Sequence, residues 1–157
     1  MRVCVYLEGE RLLSRSGLYT AYRNHVRALE MAGVDITTVP RESYDLLHLH
    51  WFGPRSLRAL RAAKRAGIPV VIHAHSIGSY DFAGGFTGTR LLAPAYEKLL
   101  DRIYSQADAL FVPSEFAAGA LRERGFAPER LPVTLRLLLE NLLRFEDGRS
   151  VCAEDIE

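Results

Sequence analysis

The sequence predicts an α/β domain built on a doubly wound parallel sheet. Short β-branched runs alternate along the chain with segments whose apolar residues recur at helical spacing. Most of the strand-like runs are continuously apolar, as expected for strands that helices cover on both faces. The length of 157 residues is sufficient for one domain with a sizeable core.

The first half of the chain is predicted to contain a strand, a helix and two further strands. The β-branched run at 2–8 ends at a glycine and is typical of a buried strand. Apolar residues recur at helical spacing over 17–33, and the glycine that closes this segment is a common helix stop signal. Strands are expected at 34–40 and at 44–51, the first of them more exposed than the second.

The second half is predicted to continue the same alternation. A glycine-rich loop precedes a helix that is expected to start at Pro94, because proline is favoured at the first helical position. Leu99 and Ile103 are expected to continue the apolar stripe of this helix. The other expected elements are a helix at 55–67, a strand at 68–75, a strand at 107–114 and a helix at 115–125.

Composition excludes several classes of function. Twenty basic residues nearly balance 19 acidic ones, so the net charge of the chain does not indicate binding to nucleic acid. Two cysteines make neither a disulfide framework nor a metal quartet, which fits a cytoplasmic protein. Neither a signal peptide nor a membrane span is predicted. The basic stripe of the helix at 55–67 is interpreted either as a solvated face or as a contact with anionic lipid at the inner membrane surface.

Four of the five histidines lie at the ends of two predicted strands. Ligands of doubly wound domains bind outside the carboxyl ends of the strands, where we expect His50 and His75. Side chains alternate along a strand, so His48 and His73 are expected two residues deeper on the same side. We interpret these two as hydrogen-bonded core residues.

The two His-x-His pairs also suggest a zinc or two-metal hydrolase site. The other strand ends provide no obvious carboxylate or cysteine to complete the ligand set. The sequence therefore predicts no metal and no cofactor.

The loop at 8–17 is a further candidate site. Gly17 stands at the expected start of the first helix, where free N–H groups and the helix dipole favour a phosphate. The loop lacks the three glycines of the dinucleotide fingerprint, and an ordinary loop with a glycine at its turn is the alternative.

Five segments, in order along the chain, carry a family resemblance: "YLEGERLLSRSG", "HVRALEMAGVDIT", "YDLLHLHWFGPRSL", "VIHAHS" with "DFAGGFTGT", and "ADALFVPSEF". They resemble the amino-terminal domain of family-4 glycosyltransferases, which are retaining enzymes of the GT-B architecture. Their sequences are similar to those of diacylglycerol glucosyltransferase-like members. The resemblance implies a Rossmann-like sheet forming the acceptor-side half of such an enzyme. It also implies transfer of a hexose from a nucleotide sugar to the hydroxyl of a sugar or lipid acceptor.

The resemblance also implies roles for single residues. Gly17 matches the loop glycine that approaches the donor phosphates, and His75 matches the histidine at the reaction centre. His50 resembles a second histidine at the neighbouring strand end. The loop on the acceptor side is represented by Asp81, Phe82 and Phe86.

The carboxy-terminal part departs from the family. Family-4 enzymes bind most of the nucleotide sugar with a second domain, which carries a Glu-x7-Glu motif. Glu115 and Glu123 have this spacing, but they lie on a first-domain helix, so we interpret the match as coincidence. The predicted division is a glycosyltransferase-like domain at 1–125 and a helical tail at 126–157 whose last residues are disordered. Without the second domain, the chain is not expected to be active alone.

The tail carries an apolar helical stripe that admits several interpretations. It could pack on the domain, dock a second-domain chain or another copy of this chain, or be the accidental end of a truncated gene product. A non-catalytic binding or assembly module, the remnant of a glycosyltransferase, is the alternative to an enzyme half. The stripe consists of Leu135, Leu138, Leu139, Leu142 and Leu143.

Overall fold

The structure is a computed structural model that describes residues 1–78 and 93–130. Strands and helices alternate through most of this part of the chain. The strands are β1 (Arg2–Tyr6), β2 (Asp35–Thr37), β3 (Leu46–Leu49), β4 (Val70–His73), β5 (Ala109–Val112) and β6 (Glu129–Arg130). The helices are α1 (Gly17–Met31), α2 (Pro54–Arg65), α3 (Ala93–Tyr104) and α4 (Glu115–Glu123).

The strands form one parallel sheet in the order β2-β1-β3-β4-β5-β6. The predicted doubly wound α/β class is therefore confirmed. The sequence analysis did not predict β6, which has only two residues and no periodic pattern. The leucine-rich stripe at 135–143 lies outside the described residues.

Two hydrophobic cores lie on opposite faces of the sheet. Val3 and Val5 of β1 pack with Tyr22 and Val26 of α1 in the smaller core. Cys4 points the other way and joins the larger core, which also contains buried residues of α2, α3 and α4. This alternation is the two-residue period of a strand that is covered on both faces.

The order of the strands reverses between β1 and β3. From β1 the chain passes through α1 to β2 on one side, and from β3 it passes through α2 to β4 on the other side. Because α1 and α2 belong to different cores, the chain leaves these two neighbouring strands toward opposite faces. The carboxyl ends of β1 and β3 therefore flank the crevice in which such sheets bind ligands.

The apolar stripe of α3 differs from the expectation by one residue. Leu99 is 47% exposed, whereas Leu100 is 1% exposed and packs in the larger core. Ile103 is buried as expected. Leu100, Ile103 and Tyr104 form an i, i+3, i+4 set on one helix face, and Leu99 lies outside it. No helix in the described ranges is long and apolar enough to cross a membrane.

A histidine cluster at the carboxyl edge of the sheet

All five histidines of the chain come together on the face of the sheet that α1 covers. His48 lies in β3 and His50 directly follows it, while His73 ends β4 and His75 lies two residues later. His25 reaches the same place from α1. Its ring centroid is 4.4 Å from that of His48, 5.1 Å from that of His50 and 6.2 Å from that of His73.

Strand geometry explains how four of these rings meet. Residues two apart point to the same side of a strand, so His48 stacks on His50 at 4.7 Å and His73 stacks on His75 at 4.2 Å between ring centroids. Parallel pairing of β3 with β4 then brings the two pairs side by side, with 4.9 Å between the ring centroids of His50 and His73.

The sequence analysis missed His25, although a signal for it was present. His25 lies three residues after Tyr22 and four before Leu29, so it belongs to the apolar stripe of α1. A polar residue at a core position of a helix indicates a buried polar partner on the sheet beneath it. Here those partners are the other histidines.

The hydrogen bonding of the cluster differs from the expectation. His48 and His73 are buried, as predicted, with 3% and 4% of their surface exposed. However, Nε2 of His48 and Nδ1 of His73 have no hydrogen-bond partner among the described residues, and neither has Nε2 of His50. The interpretation of His48 and His73 as satisfied core residues is wrong for these atoms; the ring of His48 contacts those of His73 and Phe111.

A hydrogen bond joins the two histidines that were predicted to lie at the strand ends. The distance between Nδ1 of His50 and Nε2 of His75 is 3.3 Å. One of the two rings donates and the other accepts, so this contact couples their tautomers. His50 is fully buried, while His75 is partly exposed.

Burial keeps the imidazoles neutral. Loss of hydration lowers the pKa of His25 and that of His75 from the ordinary 6.5 to about 4. The pKa values of His48, His50 and His73 lie well below 6.5, mainly because of burial and also because a charge on one ring disfavours a charge on the next. At neutral pH each ring can donate one hydrogen bond and accept one, or bind a metal ion.

The side-chain carboxylate of Glu8 binds to the amino-terminal end of α2. Glu8 follows β1, and its side chain accepts a 2.7 Å hydrogen bond from the backbone N–H of Ser56 in the first turn of α2. A Cβ atom at Gly53 would lie 2.5 Å from the carboxyl carbon of Glu8, so glycine is the residue that lets Glu8 approach. The sequence analysis did not identify this contact, which joins residues 48 positions apart.

The start of α1 is arranged differently. Gly17 is the first residue of the helix, and the side chain of Ser16 before it accepts a 3.2 Å hydrogen bond from the N–H of Tyr19. Apart from its own helix and chain neighbours, no atom of residues 1–78 or 93–130 lies within 4 Å of a Cβ built at Gly17. The role of Gly17 in phosphate binding stays a prediction.

Comparison with known proteins identifies the family. The sequence profile of the "Glycosyl transferase 4-like domain" matches residues 7–134, a span that includes the whole histidine cluster. The chain belongs to this glycosyltransferase 4-like family. The family assignment made from the sequence is therefore confirmed.

One relative of this glycosyltransferase 4-like domain is a "Processive diacylglycerol alpha-glucosyltransferase" of Acholeplasma laidlawii. The two are 32% identical over 117 residues, which is 74% of this chain and 34% of the relative. The chain thus spans about a third of the length of that protein. No solved structure gives a significant match.

The remaining sites predicted for this glycosyltransferase 4-like domain have mixed outcomes. Asp81, Phe82 and Phe86 lie outside the described residues. Glu115 and Glu123 are the first and last residues of α4, and both are exposed, in agreement with a solvated face.

The basic stripe on α2 is exposed, as both interpretations of it require. Lys64, one of its members, forms an ion pair of 2.8 Å with Asp108. Asp108 in turn accepts a hydrogen bond from the N–H of Val70 at the start of β4. The full stripe consists of Arg55, Arg58, Arg61, Lys64 and Arg65.

Proposed function

We propose that this domain is the acceptor-side half of a retaining glycosyltransferase that transfers a hexose from a nucleotide sugar to an acceptor hydroxyl. A donor-binding domain, in the same or in another polypeptide, completes the site. The observation that carries the proposal is the family match over residues 7–134, which includes all five histidines of the cluster. The name of the Acholeplasma laidlawii relative supports a lipid as the acceptor.

His75 is the proposed residue at the reaction centre. Its Nε2 is engaged with Nδ1 of His50, which leaves Nδ1 of His75 for the substrate. When His50 donates in this pair, Nδ1 of His75 carries the proton and donates a hydrogen bond to a sugar hydroxyl. A neutral, partly buried imidazole held by a second imidazole is suited to orienting a sugar, because its direction is restrained.

Gly17 is the proposed approach to the donor phosphates. Ser16 caps the N–H of Tyr19, and the N–H groups of Gly17 and Leu18 at the helix start, which have no acceptor in the described part of the chain, would bind an anion. The start of α2 is an inferior phosphate site, because the carboxylate of Glu8 already occupies it. Stabilisation of the departing phosphate by such donors is the main catalytic contribution in this scheme.

Two binding titrations test the substrate assignment. We expect the full chain to bind vesicles that contain diacylglycerol and not to bind common nucleotide sugars by calorimetry, since the donor contacts belong to the other domain. Binding to neither would contradict the proposal and favour a non-catalytic module. Vesicles of the same net charge without diacylglycerol are the control, since they separate acceptor recognition from attraction of the α2 arginines to anionic lipid.

A substitution tests the role of His75. In a transfer assay that combines the chain with a donor-side domain, His75→Ala should abolish turnover while the circular dichroism spectrum is kept. Arg61→Ala, on the exposed face of α2, is the matched control and should retain turnover with a soluble acceptor. Unchanged turnover of the His75 variant would refute the assigned role.

A further inference from the structure

Four of the clustered histidines have the arrangement of a metal site. One ring nitrogen from each of His25, His48, His50 and His73 can be chosen so that all four lie within 4.8 Å of one another. Four nitrogens around a tetrahedral zinc ion, at the usual bond length, are about 3.4 Å apart. Small rotations of the side chains, each moving a nitrogen by about 1 Å, would therefore close the site around an ion.

Unpartnered nitrogens are the second, independent observation. Nε2 of His48, Nε2 of His50 and Nδ1 of His73 are buried and have no partner among the described residues. A buried polar atom without a partner is costly, and native structures rarely keep several of them together. A shared metal ion would satisfy all three lone pairs at once.

The contact between His50 and His75 fits the same site. If Nε2 of His50 binds a metal, its Nδ1 must carry the proton and donate it to Nε2 of His75, 3.3 Å away. Histidine ligands commonly donate their other N–H to an outer acceptor that fixes the ring. His75 would be that acceptor, so the fifth histidine positions a ligand.

We propose that His25, His48, His50 and His73 bind one transition-metal ion, with Zn²⁺ as the expected occupant. An all-imidazole ligand set suits zinc, copper and nickel, and it does not suit magnesium or calcium, which prefer oxygen ligands. The sequence analysis predicted no metal because two His-x-His pairs lacked further ligands, but α1 brings His25 onto the two strands. The proposal does not depend on the proposed glycosyl transfer.

The first test is a metal titration of the full chain after removal of metals with a chelator. We expect Zn²⁺ and Co²⁺ to bind with a stoichiometry of one, to raise the melting temperature, and Co²⁺ to give the visible absorption of a tetrahedral nitrogen site. Mg²⁺ should give no effect. Absence of stoichiometric Zn²⁺ and Co²⁺ binding to the folded chain would overturn the proposal.

Variants identify the ligands. His25→Gln and His48→Gln should each weaken Co²⁺ binding by more than tenfold and abolish its visible bands. His75→Gln should keep the stoichiometry of one and weaken binding by about 10- to 100-fold, as expected for an outer residue. The matched control is Cys152→Ser, which removes a thiol that is not among the proposed ligands and should leave binding unchanged.

Two outcomes of this series would refute the assignment. If His25→Gln bound Co²⁺ as tightly as the unchanged chain, α1 would supply no ligand. If Cys152→Ser lost Co²⁺ binding, the ion would be bound by a thiol. If His48→Gln does not fold by circular dichroism, the titration of the native chain and His25→Gln still decide, because His25 is on the helix and not in the sheet.

Discussion

Acidification should destabilise this domain through its histidines. The perturbation is a change from pH 7 to pH 5 in the presence of a chelator, so that only protons compete for the imidazoles. In the folded protein the pKa of His25 and that of His75 are lowered to about 4, whereas in the unfolded chain both return to the ordinary 6.5. Between these values the unfolded state binds more protons, so the free energy of unfolding falls as the pH falls.

The magnitude follows from the two pKa values. The stability that neutral His25 contributes is fully present above pH 6.5 and is lost as the pH falls toward 4. Between pH 7 and pH 5 this loss is about 2 kcal/mol for each of the two residues, or about 4 kcal/mol for both. His48, His50 and His73 act in the same direction, because burial also lowers their pKa values. Small domains are stable by only about 5–15 kcal/mol, so much of the stability should be lost by pH 5.

Urea unfolding followed by circular dichroism at several pH values measures this loss. Carboxyl groups of ordinary pKa remain mostly ionised down to pH 5, so this window reports mainly on histidine. His25→Gln should reduce the pH-dependent loss by about 2 kcal/mol, because one of the titrating groups is gone. A free energy of unfolding that changes by less than about 1 kcal/mol from pH 7 to pH 5 would refute the burial of the cluster.

Three substitutions test the fold around the cluster by the same urea assay. Gly53→Ala should lower the free energy of unfolding by about 1–2 kcal/mol, because it displaces Glu8 from the start of α2. The same substitution should lower it by less in a Glu8→Ala background. Equal reductions in the two backgrounds would show that the two residues are not coupled. Tyr104→Phe should cost about 1–3 kcal/mol, because the 2.7 Å hydrogen bond from its hydroxyl to the carbonyl oxygen of Ser76 is buried. Leu60→Ala should lower the free energy of unfolding by about 2–5 kcal/mol, since Leu60 is fully buried and truncating its side chain leaves a cavity. A smaller reduction would contradict that packing.

The fold class could be read from the sequence because local patterns report it directly. Continuously apolar runs such as 2–8 and 68–75 indicate strands covered on both faces, and helical periodicity between them indicates crossover helices. The boundaries differ by a few residues from those expected, and the short strand β6 has too little pattern to be recognised. The exposed Leu99 shows the same limit, since neighbouring leucines leave the phase of a helix face ambiguous.

The sequence by itself determined a parallel α/β domain of the glycosyltransferase 4-like family, with His50 and His75 at the carboxyl ends of two strands. Only the tertiary structure decided that His25 joins them, that three ring nitrogens in the cluster lack partners among the described residues, and that Glu8 occupies the start of α2. The physical reason is distance along the chain. Strand alternation relates His48 to His50 locally, whereas His25 meets them only when α1 packs on the sheet, and Glu8 meets Ser56 only when β1 pairs with β3.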